Sequence, residues 1–468
     1  MIQIGVTPTT QEHEQGLMVL AALPLSFTGL AAFRAWMWVV TDLSSETPGA
    51  EQIHDCLLCG VLLGLAAIAR HLVPLGKNRI AQIACGIMAL IGSSLIAATI
   101  MCPAMPPVVH YLAIACIAIA SALLILSWCE LYACLDVARI ALCIALIFPI
   151  EQAIIFILSG LSTSYRVGAL FFLPALALVL LQRAYCYLPG SMRPRPVTGK
   201  VRVPWKLILL LSLYYLVSGA RQALAGDQSN PAGSVATLLA SAFLLIAIVF
   251  FSERFDLALA YRTPIALFVC ALLLLPASGS AGSIFFSFCL SLSTRLFEVV
   301  IFLLLADICR RHAIMAVILF GIEESTTIFS SIGYAIGASL RASPELQLSE
   351  TMAMVAGIAL LLAATLLLFN DKKFESTWES PLIGPGKIRW DREQREALAS
   401  ACDRVAATYG LTNREREVLA LLGEGKSLSR VCQELCIAKG TAKAHTDHIY
   451  TKIGIHNRRE LLDILSCE

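Results

Sequence analysis

Twelve long apolar runs constrain this chain more than any other feature. A helix needs about 20 residues to cross the roughly 30 Å hydrocarbon core of a bilayer. Apolar runs lie near 17–40, 56–70, 80–101, 108–128, 139–159, 167–185, 205–225, 234–252, 262–278, 282–306, 313–340 and 351–370. The second run is short, so ten or eleven spans would also fit. Hydrophobic residues make up 58% of the 468 residues, which excludes an ordinary water-soluble protein. We therefore expect an all-α chain with a polytopic membrane domain over 1–370.

The lysines and arginines between the runs predict an orientation. If the N-terminus is cytoplasmic, the inside connections carry sixteen of these residues and the outside connections carry three. Cytoplasmic loops of membrane proteins show this excess. The predicted outer loop 41–55 agrees, because it contains acidic residues and no lysine or arginine. With an even number of spans, both termini of this multi-pass cell-membrane protein would be cytoplasmic.

Charged residues recur at matching places on either side of the basic connection 186–204. Arg34 and Arg221 lie late in the first and seventh runs, and Glu151 in the fifth run matches Glu323–Glu324 in the eleventh. This pattern predicts two related six-helix halves. In architecture, though not in motif, such an arrangement resembles the major facilitator transporters.

Seven ionisable residues inside the runs form a candidate ligand-sensing site. An ionisable side chain at bilayer depth is costly unless it is paired or hydrated, so each one is a functional hypothesis. Arg295 and Glu298 can pair because they are three positions apart on one helix. The other candidates would line a polar cavity near the midplane, with Trp36 and Trp38 as stacking surfaces. These candidates are Arg34, Glu151, Arg221, Glu323 and Glu324.

Two simpler interpretations of these charges stay open. The residues would form an internal salt-bridge network that stabilises the bundle, or Arg34 and Arg221 would extend their charged ends to the outer interface. Two small-residue motifs, Gly60-x-x-x-Gly64 and Gly333-x-x-x-Gly337, also permit close helix approach. We expect them to lie where the second and eleventh spans meet.

After Asn370 the composition becomes polar, which indicates a linker over 371–410. Within it, residues 391–409 have the periodicity of an amphipathic helix, with Leu398, Ala401 and Val405 on one stripe. This helix would pack on the following domain or on its twin in a dimer.

Four short helices are predicted in the last domain, 411–468. Thr412 and Glu415 have the spacing of a capping box at the start of the first helix. A second helix begins near Leu428, a third covers 439 to about 453, and Asn457 would cap a fourth. The stretches Leu411-Thr-Asn-Arg-Glu-Arg-Glu-Val-Leu and Gly440-Thr-Ala-Lys-Ala-His-Thr-Asp-His-Ile-Tyr-Thr-Lys-Ile-Gly resemble the helix-turn-helix domain of LuxR-type transcriptional regulators.

The resemblance implies that the third helix binds double-stranded promoter DNA. By this resemblance Lys443, Ala444 and Asp447 would read base edges. Glu415 would brace the domain. Five basic residues against one acid between 439 and 459 suit a surface that faces phosphates. Because Ala444 and Asp447 depart from the residues usual in the family, no operator sequence is predicted. The phosphate-binding residues implied by the resemblance are Lys439, Thr441, His445 and Lys452.

We interpret the chain as a bacterial one-component regulator that an unknown small-molecule effector or a membrane signal controls. Its expected partners are promoter DNA, the lipid bilayer, RNA polymerase and a second copy, paired through Leu461, Leu462 and Leu465. Two alternatives are a working transporter with a DNA-binding tail, and a membrane part that is only an anchor. No catalytic motif or cofactor motif occurs, so no enzyme is expected.

A zinc-like spacing in the last domain does not predict a metal site. Cys432, Cys436, His445 and His448 occur at intervals that resemble those of zinc ligands. Cys432 falls on the buried side of the second helix, however, and His445 falls on the outer side of the third.

Overall fold

The computed structural model describes residues 25–135, 137–188, 203–225, 280–312, 315–342, 391–423, 428–435 and 437–455, with isolated positions at 235, 237–239, 241–242, 357, 359, 460–461 and 464–465. Several predictions fall outside this part of the chain. They concern most of the eighth, ninth and twelfth spans, the linker before 391, Cys436, Asn457 and Leu462.

All regular structure in the described residues is helical. The membrane part contains α1 (Leu30–Ser44), α2 (Ala50–Leu72), α3 (Arg79–Met101), α4 (Pro107–Tyr132), α5 (Val137–Ser159), α6 (Thr163–Tyr187), α7 (Trp205–Ala225), α8 (Ser280–His312), α9 (Ala316–Glu324) and α10 (Ile328–Ala342). The C-terminal part contains α11 (Asp391–Thr408), α12 (Asn413–Gly423), α13 (Leu428–Glu434) and α14 (Lys439–Ile453).

The outward faces of the membrane helices are apolar. Ile80, Met101 and Phe156 are 81%, 78% and 80% exposed, and many other large apolar side chains share this position. Such a surface suits lipid, which is as apolar as these side chains. Six stretches in the described part are long and apolar enough to cross a membrane, and the all-α membrane fold is as predicted. They are Ala50–Leu72, Arg79–Met101, Pro107–Tyr132, Arg139–Ser159, Thr163–Tyr187 and Ala316–Ala342.

Two predicted boundaries near the N-terminus are wrong. The second span is not short, since α2 has 23 residues and begins at Ala50. The predicted 41–55 loop shrinks to the turn 45–49, because Asp42 belongs to α1 and Asp55 belongs to α2. Polar residues here extend the helices beyond their apolar runs, and the apolar pattern alone does not reveal this.

The first six helices pack around one core. The helix α1 lies against α5 and α6, while α3 lies against α4 and α6. Trp36, Trp128 and Tyr132 are fully buried between them. The second half joins this core where α9 contacts α2 and α4 and where α8 contacts α5. The second and eleventh spans therefore meet, as expected.

The small-residue motifs act elsewhere than predicted. A Cβ atom added to Gly333 would lie 1.9 Å from the Leu216 carbonyl oxygen, and one added to Gly219 would lie 1.9 Å from that of Ser330. These glycines allow the backbones of α7 and α10 to touch. Gly60 and Gly64 have no described atom within 4 Å of an added Cβ, so that motif makes no close contact with the helices that the structure describes. Instead, the Ser331 hydroxyl of α10 donates a hydrogen bond of 2.6 Å to Asp55 of α2.

A buried carboxylate marks one end of the bundle. Glu130 Oε2 accepts hydrogen bonds from the Gly76 backbone N–H (3.2 Å) and from the Tyr185 hydroxyl (2.9 Å). This ties the 73–78 turn to the ends of α4 and α6. Near the end of α8, Cys309 lies beside Cys134, which follows α4, so α8 ends on this same side of the bundle. We call this the turn side.

The C-terminal helices form a core of their own. Cys402 and Val405 of α11 are buried with Val418 of α12 and Ile449 of α14. The amphipathic helix predicted at 391–409 therefore packs on the following domain. Gly454 ends α14 at φ +80°, a left-handed conformation that glycine adopts without steric cost.

Candidate ligand site and nucleic-acid interface

Arg34 is held inside the membrane bundle by an ion pair between two helices. Its Nε atom on α1 lies 2.6 Å from Glu151 Oε2 on α5. The guanidinium also lies 5.4 Å from the centre of the Phe148 ring, which adds a cation–π contact. Glu151 is only 5% exposed. This pairing favours the salt-bridge interpretation of Arg34 over the one in which it extends to the interface, because its partner Glu151 is buried.

A second pair and two further carboxylates complete a cluster of charges. On α8, Arg295 Nη1 lies 3.0 Å from Glu298 Oε2, the pairing expected from their spacing. Arg34 interacts electrostatically with Glu298 and Glu324 as well as with its own partner. Six candidate residues from α1, α5, α8 and α9 thus converge, and we call them the membrane cluster. Its members are Arg34, Glu151, Arg295, Glu298, Glu323 and Glu324.

Glu323 is the member with the least compensation. It is 9% exposed, and its Oε2 atom has no hydrogen-bond partner among the residues that the structure describes. Its electrostatic neighbours there include Glu324 and Glu298, which carry the same sign of charge. Arg221 lies on α7, but its side chain falls outside the described part, so its predicted place in the site stays a prediction.

The helix tightens into a single 3-10 turn beside these carboxylates. The helix α9 ends at Glu324, a 3-10 turn covers Ser325–Thr327, and α10 then continues. The Thr327 hydroxyl donates a hydrogen bond of 2.9 Å to the Glu324 carbonyl oxygen.

Two aromatic residues differ from the sequence prediction. Tyr215 lies near the membrane cluster but was not predicted there, and Trp36 was predicted to stack on a ligand but does not. Tyr215 of α7 interacts electrostatically with Arg295, Glu298, Glu323 and Glu324. A tyrosine inside an apolar run was the available signal. Trp36, predicted as a stacking surface, is fully buried in the core and is not accessible to a ligand.

The helix α14 presents the residues predicted to face DNA. Ala442, Ile449 and Ile453 are buried and attach the helix to the domain. On its opposite side most predicted contact residues are exposed, while His445 is half-buried. The exposed ones are Lys439, Thr441, Lys443, Ala444, Asp447 and Lys452. Three lysines against one aspartate give this face a positive charge, which suits a phosphate backbone.

Glu415 connects the start of α12 to the end of α14. Its Oε2 atom accepts hydrogen bonds from the Thr412 N–H (2.8 Å) and from Lys452 Nζ (2.7 Å), and its own N–H donates to the Thr412 hydroxyl (3.3 Å). The capping box is therefore present. Burial acts to raise the pKa of Glu415, but the bonds from Lys452 and Thr412 outweigh it and lower the pKa to about 2.

Lys452 consequently has a structural contact that the sequence did not reveal. It also donates a hydrogen bond of 3.2 Å to the Gly410 carbonyl oxygen. Its phosphate contact stays a prediction. Arg414 is a further missed residue: its Nη2 atom donates to the Leu435 carbonyl oxygen at 2.9 Å and so fixes the end of α13.

The apolar stripe predicted for dimerisation is not accessible. Leu461 is fully buried and Leu465 is 7% exposed, and both belong to the core of the C-terminal part. These leucines close the domain around α12 and α14, because a domain this small needs them inside. The stripe therefore gives no support for pairing.

In the described part of the chain, the membrane helices and the C-terminal helices are in contact. The helix α13, the first of the helix-turn-helix pair, lies against α8.

Comparison with known proteins identifies the C-terminal domain. Residues 410–465 match the family of bacterial regulatory proteins, luxR family. A putative HTH-type transcriptional regulator of Aeromonas salmonicida is 37% identical over 71 residues, which cover 14% of this chain and 36% of that protein. The transcriptional regulatory protein DesR of Bacillus subtilis (strain 168) is 40% identical over 52 residues, or 11% of this chain and 26% of that protein. The matches thus span only about a third of these relatives or less.

The membrane part resembles solved transporters in fold. A bacterial homologue of the iron transporter ferroportin, solved in an outward-facing state, aligns with 78% of this chain and 99% of its own length. The TM-score is 0.52 and the sequence identity is 12%. At this identity the likeness concerns the fold alone, and it agrees with the major facilitator-like architecture.

Proposed function

Since residues 410–465 belong to the luxR family and the rest has a transporter-like membrane fold, we propose that this chain is a membrane-bound one-component transcriptional regulator. In this proposal α14 binds promoter DNA and a small molecule at the membrane cluster controls that binding. The exposed basic face of α14 is the observation that carries the DNA-binding function.

The proposed orientation places the turn side in the cytoplasm. Arg70, Lys77 and Arg79 lie at or next to the 73–78 turn, and the excess of such residues marks cytoplasmic loops. The proposal also places the C-terminal domain on this side, where it would meet the chromosome and RNA polymerase. A homodimer on DNA stays part of the proposal, but its interface would have to use a surface other than the buried leucines.

The helix α8 offers a route between the two sites. It carries Arg295 and Glu298 of the membrane cluster, and it contacts α13 of the DNA-binding domain. In helix-turn-helix proteins the first helix crosses the DNA backbone. A domain docked on α8 would therefore be unable to seat fully on DNA, and an effector that releases α13 would permit binding.

DNA binding is tested with the 391–468 segment, which has its own core. Lys443→Ala should weaken binding to the specific site upstream of its own gene by about 1–3 kcal/mol, because a base-edge contact is lost. Arg416→Ala is the control, since it removes the same charge from α12. Equal losses in both variants, or no specific binding by the unaltered segment at moderate salt, would refute the proposal.

The docked state is tested in the full chain. A photo-crosslinking residue in place of Glu434, which is exposed on α13, should attach to the α8 peptide, and added promoter DNA should suppress the product. The same residue in place of Glu417 on α12 is the control. Crosslinking that DNA does not change would exclude the docked, DNA-free state.

A working transporter with a regulatory tail is the second candidate. Its support is the alignment of nearly the whole length of a transporter homologue with this chain. Ligand accumulation in sealed vesicles would favour this candidate, while ligand-dependent promoter binding without accumulation favours the first.

A further inference from the structure

We propose that the ligand of the membrane cluster is a small organic cation that carries an ammonium group, held between Glu323 and Tyr215. This inference rests on the proposed sensory function and names the chemical class that the site would recognise.

Charge within the cluster is the first argument. Its four carboxylates and two guanidiniums leave two negative charges when all are ionised. Arg34 is paired with Glu151 and Arg295 with Glu298, so the excess resides on the two carboxylates that end α9. Arg34 also reaches Glu324 electrostatically. An uncompensated carboxylate at bilayer depth is costly, and a bound cation would remove that cost.

The position of Glu323 is the second, independent argument. This side chain is more than nine-tenths buried, and its Oε2 atom has no hydrogen-bond partner in the described part of the chain. Buried carboxylate oxygens normally accept hydrogen bonds. A donor that comes from outside the chain, such as an ammonium group, would satisfy this one.

Aromatic chemistry favours an organic cation over a metal ion. Tyr215 lies within electrostatic range of Glu298, Glu323 and Glu324, and an aromatic ring attracts an ammonium group through its face. Among the residues searched in the described part, no group of three or more His, Cys, Asp or Glu side chains is arranged to hold a metal ion.

The test uses the purified full-length protein in detergent. Benzylammonium chloride should raise the unfolding temperature by about 2 °C at a tenfold excess over its Kd, relative to sodium chloride at the same concentration. Glu323→Gln should abolish this rise. Glu46→Gln, which removes an exposed carboxylate in the 45–49 turn, should retain it.

Tyr215 supplies a second variant in case Glu323→Gln does not fold. Tyr215→Leu should weaken benzylammonium binding about fivefold through the lost ring contact, and Tyr215→Phe should retain binding. Stabilisation by sodium benzoate alone, an equal effect of sodium chloride, no effect of benzylammonium, or an undiminished rise in Glu323→Gln would each overturn the inference. DNA binding by residues 391–468 is measured separately, so its failure would refute the proposed function without touching this result.

Discussion

Two ion pairs, one in each part of the molecule, have nearly the same geometry and different surroundings. Arg34 and Glu151 join α1 to α5 at 2.6 Å, and Lys452 and Glu415 join α14 to α12 at 2.7 Å. Both carboxylates are buried, at 5% and 4% exposure. Glu415 keeps hydrogen bonds to Thr412 if the pair opens. The basic side chains have similar exposure, 29% for Arg34 and 36% for Lys452, but Arg34 lies in an apolar bundle whereas Lys452 lies on a polar domain and can turn to water.

The stability lost when one partner of an ion pair is removed depends on whether the remaining partner can reach water or other hydrogen-bonding groups. Removing one partner of a buried pair strands the other charge in a medium that cannot solvate it. In a pair at the edge of a water-exposed domain, the basic side chain can turn to water, so removing its partner does not leave a charge that water cannot solvate. Similar distances therefore predict unequal effects of mutation in the two parts.

The largest effect is expected for Glu151→Gln. Because an arginine stays protonated in proteins, Arg34 would remain charged and would lose its hydrogen-bonded partner, keeping only its electrostatic interactions with Glu298 and Glu324. The full-length protein should therefore lose about 3 kcal/mol of stability. Thermal or denaturant unfolding in detergent measures this. The double variant Arg34→Met with Glu151→Met should recover most of the loss. If the double variant were as unstable as the single one, the stranded charge would not be the cause.

A smaller effect is expected for Glu415→Gln in residues 391–468. The substitution weakens charge-assisted bonds from Lys452 and Thr412, so the segment should lose about 2 kcal/mol in urea unfolding at pH 7. An unchanged midpoint would show that the capping box contributes little to the domain.

The same residue predicts an acid dependence. The pKa of Glu415 is lowered to about 2 in the folded protein from an ordinary value of 4.5. A carboxyl whose pKa is depressed by folding stabilises the protein above its unfolded pKa, and this contribution is lost as the pH falls through the folded pKa. Stability should therefore fall between about pH 4.5 and pH 2, and it should fall less steeply in Glu415→Gln.

The smallest effect is expected for Glu417→Gln. Glu417 pairs with Arg414 on the surface of α12, where both side chains are more than 40% exposed. Exposed pairs contribute about 0–1 kcal/mol, so the unfolding midpoint should barely move. A loss as large as that of Glu415→Gln would contradict the role assigned to burial.

The sequence predicted which residues matter better than it predicted their partners. Charges stand out in an apolar run, so the members of the membrane cluster were identifiable as single residues. Glu151 is 117 positions from Arg34, and only the packing of α1 against α5 brings them together. Tyr215 was missed because its importance depends on neighbours from α8 and α9.

The small-residue motifs and the apolar stripe in the sequence showed which residues could make close contacts, but not with which helices. Gly60 and Gly64 have the spacing for close helix contact, yet the close contact lies at Gly333 and Gly219. Likewise the stripe with Leu461 and Leu465 closes the core of its own domain. An apolar or small-residue stripe is compatible with several partners, and three-dimensional packing selects one of them.

The length of α8 has a mechanical consequence. Its 33 residues would extend about 50 Å at 1.5 Å per residue, well beyond a hydrocarbon core of about 30 Å. Helix tilts rarely exceed about 40°, so part of α8 must project from the bilayer. His312 lies about 20 Å along the axis from Glu298. A rotation of about 5° near the cluster would then displace the tip by about 2 Å, comparable to the helix shifts seen in switching proteins. A small angular change at a buried carboxylate would thereby become a displacement of the helix end by about the size of these shifts.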